Sequence, residues 1–204
     1  MPSHNLLDTW DAIGNPKILV LGDISLDRNT GGDAERVSPE APVLVLKVDT
    51  HEVRLGGAAS VASLLRGLEA QVTLAGVIGN DANGRVVSRL LEEAGIESSL
   101  VHCDECRPTT SKQRFVGRAD GKHPHHVLRV DEEWDQLLTE DVQQRLAERI
   151  VDRLREFDVV LVSDYAKGVC WSDHATNTFI FPALTVPTTT PGATQRGSQF
   201  AKRC

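Results

Sequence analysis

The segment 17–27, KILVLGDISLD, is a run of β-branched residues and leucine that stops at a polar turn. That pattern predicts a strand buried on both faces. Behind it, PVLVLKVDTHEVRL (42–55) alternates in part, and RLGGAASVASLLRGL (54–68) sets small and apolar residues at helical spacing behind two glycines. QVTLAGVIG (71–79) is again strand-like, and Asn80-Asp81 opens a second helix with Asp81 as its N-cap. In TEDVQQRLAERIVDRLREF, Val142, Leu146, Ile150 and Leu154 recur every fourth residue with charges between them. This is an amphipathic helix leading into DVVLVSDYAKG, a further buried strand. Strands alternating with helices predict an α/β domain with a mostly parallel sheet flanked by helices. Ligands of such sheets bind beyond the carboxyl ends of the strands, where GDISLD, GNDANG and SDYAKG fall. After Cys170 the periodicity stops. The segment 171–204 carries Thr-Thr-Thr, three prolines and scattered glycine, and reads as a tail of little order. The organisation is therefore one domain over 17–170 followed by that tail.

Composition changes this picture mainly by exclusion. The 204 residues are 40% hydrophobic and 25% charged, enough for one sizeable core. A net charge of −7 and 4% aromatic residues argue against a nucleic-acid binder. No apolar run approaches the ~20 residues of a membrane span, and the N-terminus lacks the basic-then-apolar order of a secretory signal. The expectation is a cytoplasmic protein with reduced thiols, its four cysteines being too few for a disulfide framework. Cys103-x-x-Cys106 followed by His123, His125 and His126 offers soft metal ligands, but a His-Pro-His-His cluster matches no finger spacing, and no metal site is assigned. GDISLD is not the glycine fingerprint of a dinucleotide-binding fold, so that oxidoreductase reading falls away.

Two glycines before a helix, Gly56 and Gly57, let a ligand approach the backbone without a β-carbon, while the first helical amides point outward as free donors. By itself such a pair is more often an ordinary loop. Its companions alter the balance: LGDISLD, RLGGAASVA, GVIGNDANG and SDYAKGV, in that order and spacing, resemble the ribokinase-like sugar kinases of the PfkB type. Within that family GDAERVSPEAPVLVL, PTTSKQRFVG and SDYAKG are most similar to the kinase half of bacterial heptose 7-phosphate kinase and heptose 1-phosphate adenylyltransferase. The likeness runs from Lys17 to about Cys170.

The resemblance implies a ribokinase-like fold in which 30–54 and 109–127 form a small β lid closing over a sugar. It implies roles as well. Asp27 matches the aspartate that binds sugar hydroxyls, Gly56 and Gly57 the sugar-facing glycines, and Ser60 stands where the family usually has asparagine. Lys112 and Arg114, alternating on a lid strand, are candidates for the substrate's own phosphate, against a reading as solvated edge-strand charges. Asp164 and Lys167 sit at a strand end that faces the sugar and phosphate region in the family, with Asp23 a candidate structural partner. Asp81 and Gly84 shape a turn and cap its helix. ATP and Mg²⁺ are the expected cofactors, a sugar or sugar phosphate the partner, and a homodimer through the β lid a further implication. The family's Gly-Ala-Gly-Asp motif, whose aspartate is the catalytic base, does not occur in the sequence, so no catalytic residue is assigned. The expectation is a kinase lineage whose C-terminal part of the fold is missing, inactive alone, with a non-catalytic sugar-binding remnant or pseudokinase as the alternative.

Overall fold

A computed structural model of the chain describes residues 13–119, 123–134, 136–173, 178–181 and 184–185. Its centre is strand β1 (Lys17–Gly22), in which every residue after Lys17 is buried. Such a strand is stable only between neighbours on both edges and helices on both faces. Strand β4 (Gln71–Gly79) pairs with it on one side and β8 (Val159–Ser163) on the other, while β5 (Glu97–Asp104) flanks β4, giving the order β5-β4-β1-β8 with every pairing parallel. Side chains alternate across the sheet. Ile18 and Val20 pack with Ala58, Ala59 and Ala62 of α1 (Ala58–Gly67) and with Val87 and Leu91 of α2 (Ala82–Glu93). Leu19 and Leu21 pack on the opposite face with Leu146, Ala147 and Ile150 of α3 (Glu140–Arg153). The period-four stripe of α3 is thus realised, with Val142 and Leu154 at the rim of that cluster.

A second sheet forms the lid. Strand β2 (Ile24–Val37) runs antiparallel to β3 (Leu44–Gly57) and parallel to β6 (Ser111–Arg118), which runs antiparallel to β7 (His125–Glu132), in the order β3-β2-β6-β7. The lid is longer than the sequence implied. The run 17–27 is not one strand: it divides at Asp23, where the chain leaves the core sheet for the lid. The reading of β8 as buried also needs correction. It is the outer strand of the core sheet, with Val159 49%, Val160 39% and Val162 39% exposed. An unbroken apolar run looks the same for an edge strand as for a central one. Past Cys170 the described residues form three short antiparallel strands, β9 (Trp171–Asp173), β10 (Thr178–Phe181) and β11 (Leu184–Thr185). The rest of the expected tail lies outside the described residues.

Arg153 ties α3 to β5 through Glu97, at 2.7 Å, and also holds Glu156 at 2.8 Å. The Arg153 hydrogen bond, helped by Ser99 and Thr73 against partial burial, lowers the Glu97 carboxyl from 4.5 to about 2. A depressed folded-state pKa means that the stabilisation is complete above the unfolded value and is lost as pH falls toward the folded one. The stability difference between the native chain and Glu97→Gln is therefore expected to be larger at about pH 6 than at about pH 3. Because the Glu97 side chain is 48% exposed, solvent screening keeps that difference below about 1 kcal/mol. Urea unfolding at the two pH values measures it.

Candidate functional site

Asp23 stands where β1, β2, α1 and the loop after β8 meet, and is 3% exposed. Its Oδ2 accepts from the amides of Tyr165 at 2.7 Å and Lys167 at 3.1 Å, and its Oδ1 from the amide of Val169 at 3.2 Å. One carboxylate thus shapes the whole 165–169 loop. Burial is the largest influence on its pKa and raises it, the three amides pull the other way, and the Asp164 charge adds to the rise. Asp164 itself accepts from the Ala166 amide at 2.8 Å, closing a turn in which Ala166 has φ 57°. Both aspartates accordingly have structural bonds, and Lys167 is the member of this loop that reaches outward.

The Asp23 carbonyl meets the entry of α1 behind the two glycines. It accepts from the Ala58 amide at 2.8 Å, so the first amide of α1 is bonded rather than free for a ligand, contrary to the sequence reading. Gly57, with φ 57° and ψ −136°, makes this entry possible: a β-carbon there would lie 2.2 Å from the Asp23 carbonyl oxygen. Gly57→Ala must adopt a backbone region that side chains disfavour and also push back Asp23, so a loss of about 2 kcal/mol or more is expected in denaturant unfolding. Gly56 serves the other side. A β-carbon there would lie 2.4 Å from Ser25 Oγ and 3.2 Å from the Asp27 carboxyl carbon.

Asp27 projects from β2 onto one face of the lid. Residues paired in register share a face, and Asp27 pairs with Arg54 on β3 and Lys112 on β6, Lys112 pairs with Asp131 on β7, and Asn29 pairs with Arg114. Arg114 Nη1 stands 3.2 Å from Asp27 Oδ1. The contact is too poorly aligned for a hydrogen bond, and the enclosed Oδ1 has no hydrogen-bond partner among the described residues. With Oδ1 enclosed and the side chain 29% exposed, a hydroxyl donor arriving from outside would meet the other carboxylate oxygen, Oδ2. Next to it, Glu133, just beyond β7, lies 2.6 Å from Lys167 Nζ and 4.0 Å from Lys112 Nζ. Lys112 Nζ also lies 5.9 Å from the centre of the Tyr165 ring. Asp27, Gly56, Lys112, Arg114 and Lys167 are thereby gathered around the junction of the lid and the core sheet.

Ser60 goes elsewhere. It lines a cleft between α1 and α2 with Arg54, Leu55, Ser63, Leu64 and Leu90, and that cleft does not include Asp27. Asp81 is the N-cap of α2, as the sequence reading has it. Burial alone would raise its carboxyl, but the Thr109 and Gly84 amides and the Thr109 hydroxyl outweigh this and hold it below the usual range. The cysteine and histidine groups belong to different sheets: Cys103 is the next-to-last residue of β5, whereas His125 and His126 begin β7. Among the described residues no three His, Cys, Asp or Glu side chains stand together as metal ligands.

Two contributors escaped the sequence reading. Glu133 sits in the acidic run DEEWD, which looks like a solvated turn. Arg107, only 8% exposed, donates through Nη2 to the carbonyls of Trp134 at 3.2 Å and Lys167 at 2.7 Å, fastening the two segments that carry Glu133 and Lys167. Its position before Pro108 carries no signal of that reach; only the fold brings the three together.

The family model for pfkB family carbohydrate kinases matches residues 15–124. The chain is 43% identical over 159 residues to the bifunctional protein HldE of Rhodopseudomonas palustris (strain TIE-1), covering 78% of this chain and 32% of that one. It is 42% identical, again over 78% of this chain, to the D-beta-D-heptose 7-phosphate kinase of Bordetella bronchiseptica, of which it covers 48%. Among solved structures, a carbohydrate kinase from Agrobacterium tumefaciens superposes with TM-score 0.51 at 23% identity, over 72% of this chain and 45% of that one. The tetrameric inhibited form of phosphofructokinase-2 from Escherichia coli gives TM-score 0.51 at 20% identity, over 76% and 46%. These two likenesses show the ribokinase-like fold. The chain spans a third to a half of the length of the curated relatives it matches.

Proposed function

The chain belongs to the PfkB family of carbohydrate kinases, and on that premise we propose that it carries the acceptor side of a sugar kinase, binding a sugar phosphate, a heptose 7-phosphate in particular. The observation that supports this most is the part-exposed Asp27 carboxylate on the lid face that also carries Lys112 and Arg114, with Lys167 joined to that face through Glu133. A carboxylate facing hydroxyls orients a sugar, and cations next to it suit the anionic end of the same molecule. Gly56 keeps the approach to Asp27 clear. Arg107 and Asp23 hold the backbone that presents Lys167. Ser60, on the cleft between α1 and α2, takes no part in this assignment of roles.

ATP is the donor expected of the lineage. Phosphoryl transfer depends on holding donor, metal and acceptor hydroxyl in line, because positioning and charge stabilisation supply nearly all of the catalysis. The present sequence has no Gly-Ala-Gly-Asp motif, and Asp164 is engaged in its own turn. The reading is therefore a sugar-phosphate-binding kinase segment that does not turn over by itself. It works in the cytoplasm, and the β lid is its surface for homodimer formation; among the described residues no helix is long and apolar enough to cross a membrane. The test is a coupled ADP-release assay on the purified 204-residue chain over a panel of sugars and sugar phosphates. Background rates are expected throughout. Turnover that disappears in Asp164→Asn would overturn the non-catalytic part of the reading.

A further inference from the structure

We propose that Glu133 occupies the phosphate position of the ligand-free chain and is displaced by the substrate's phosphate, so that Glu133 governs the preference for phosphorylated over unphosphorylated sugar. The inference rests on the sugar-phosphate reading above and adds to it a residue and an exchange. Lys112 comes from the lid strand β6 and Lys167 from the loop after β8, yet among the described residues both have their ion pair with the same carboxylate. An anion shared by ammonium groups from two separate parts of the fold marks a place where negative charge is favoured.

The sharing is unequal. Glu133 reaches Lys167 at 2.6 Å but remains 4.0 Å from Lys112. A phosphate, with three terminal oxygens and a larger charge, can bond to both ammonium groups at once. Its neighbour on the sheet is suitable: Lys112 is in register with Asp27, and adjacent strands lie roughly 5 Å apart. Hydroxyls on Asp27 and a phosphate between the lysines thus fit one small molecule.

Displacement requires little of the backbone. Glu133 follows β7 directly and stands outside the ladder, so its side chain can swing away without breaking strand pairing. Arg107 meanwhile keeps the Trp134 and Lys167 carbonyls in place. The side chains of Lys112, Lys167 and Glu133 are 20–30% exposed, which makes the internal pair modest in strength and exchangeable. An unphosphorylated sugar has nothing to offer the lysines and leaves Glu133 where it is.

Calorimetric titration of a heptose 7-phosphate and of the unphosphorylated heptose into the full chain, Glu133→Gln and Glu132→Gln tests the exchange. Glu132 carries the same charge one residue away, but bonds to Ser111 and Asn83 instead. Glu133→Gln is expected to bind the phosphorylated sugar about fivefold tighter than the native chain, since the competing ion pair is gone. Binding of the unphosphorylated heptose should be unchanged, a signal at baseline in every protein counting as unchanged, and Glu132→Gln should match the native chain. Equal or weaker phosphate binding by Glu133→Gln would overturn the exchange while leaving the sugar-phosphate reading in place. So would an equal gain in Glu132→Gln, which is a net-charge effect, or an equal gain for unphosphorylated heptose, which is a general loosening. No binding of the phosphorylated sugar by any of the three proteins would remove the sugar-phosphate reading and the exchange with it. If Glu133→Gln does not fold, Glu133→Ser supplies the same comparison.

Discussion

Asp23→Ala is expected to lower the stability of the chain by about 3 kcal/mol, because three backbone amides lose their acceptor in a nearly closed space and each unsatisfied group costs about 1 kcal/mol or more. The loss should be concentrated in the loop that carries Lys167. Asp23→Asn should lose less, since it keeps one acceptor oxygen in the same shape. Burial raises the Asp23 pKa while the three amide donors favour its charged form. Denaturant unfolding of the three proteins gives the ranking, with native above Asp23→Asn above Asp23→Ala. An Asp23→Ala chain as stable as the native one would show that the 165–169 loop is held by something else.

Asp27→Ala should act on binding rather than on folding. The Asp27 side chain is 29% exposed, and its ion pair with Arg114 is misaligned, so little stability depends on it. A bound sugar, in contrast, would lose a charge-assisted pair of hydrogen bonds worth about 1.5–3 kcal/mol, which is roughly tenfold or more in affinity. Parallel titrations of the native and substituted chains with a heptose 7-phosphate check this. Identical curves would remove Asp27 from the site.

The parts of the structure that were legible in the sequence are those where one physical requirement dominates. Strands β1 and β4 are mostly apolar because both faces are covered, and α3 must repeat every fourth residue because one face is. Asp81 was legible as a cap because its capping bond, from the Gly84 amide, is local. Strand β8 was misread because its valines satisfy the pattern of a central strand while lying at the edge. The role of Asp23 was hidden because the partners of its carboxylate, the amides of Tyr165, Lys167 and Val169, lie 142 to 146 residues away. The same holds for the site. Asp27, Lys112, Arg114 and Lys167 were selected by resemblance, but that Lys112 and Lys167 share Glu133 depends on a lid strand and a core loop meeting, which no local spacing encodes. Ser60, selected by the same resemblance, lines the cleft between α1 and α2.

The location of the sugar-phosphate site is most directly tested by nuclear magnetic resonance titration of the isotope-labelled chain with a heptose 7-phosphate, following every backbone amide. Shifts are expected at Asp27, Gly56, Lys112 and Arg114 on the lid and at Lys167 and its neighbours after β8. Shifts confined to the cleft lined by Ser60, Ser63 and Leu64, with the amides around Asp27 and Lys167 unmoved, would contradict the site described for this chain.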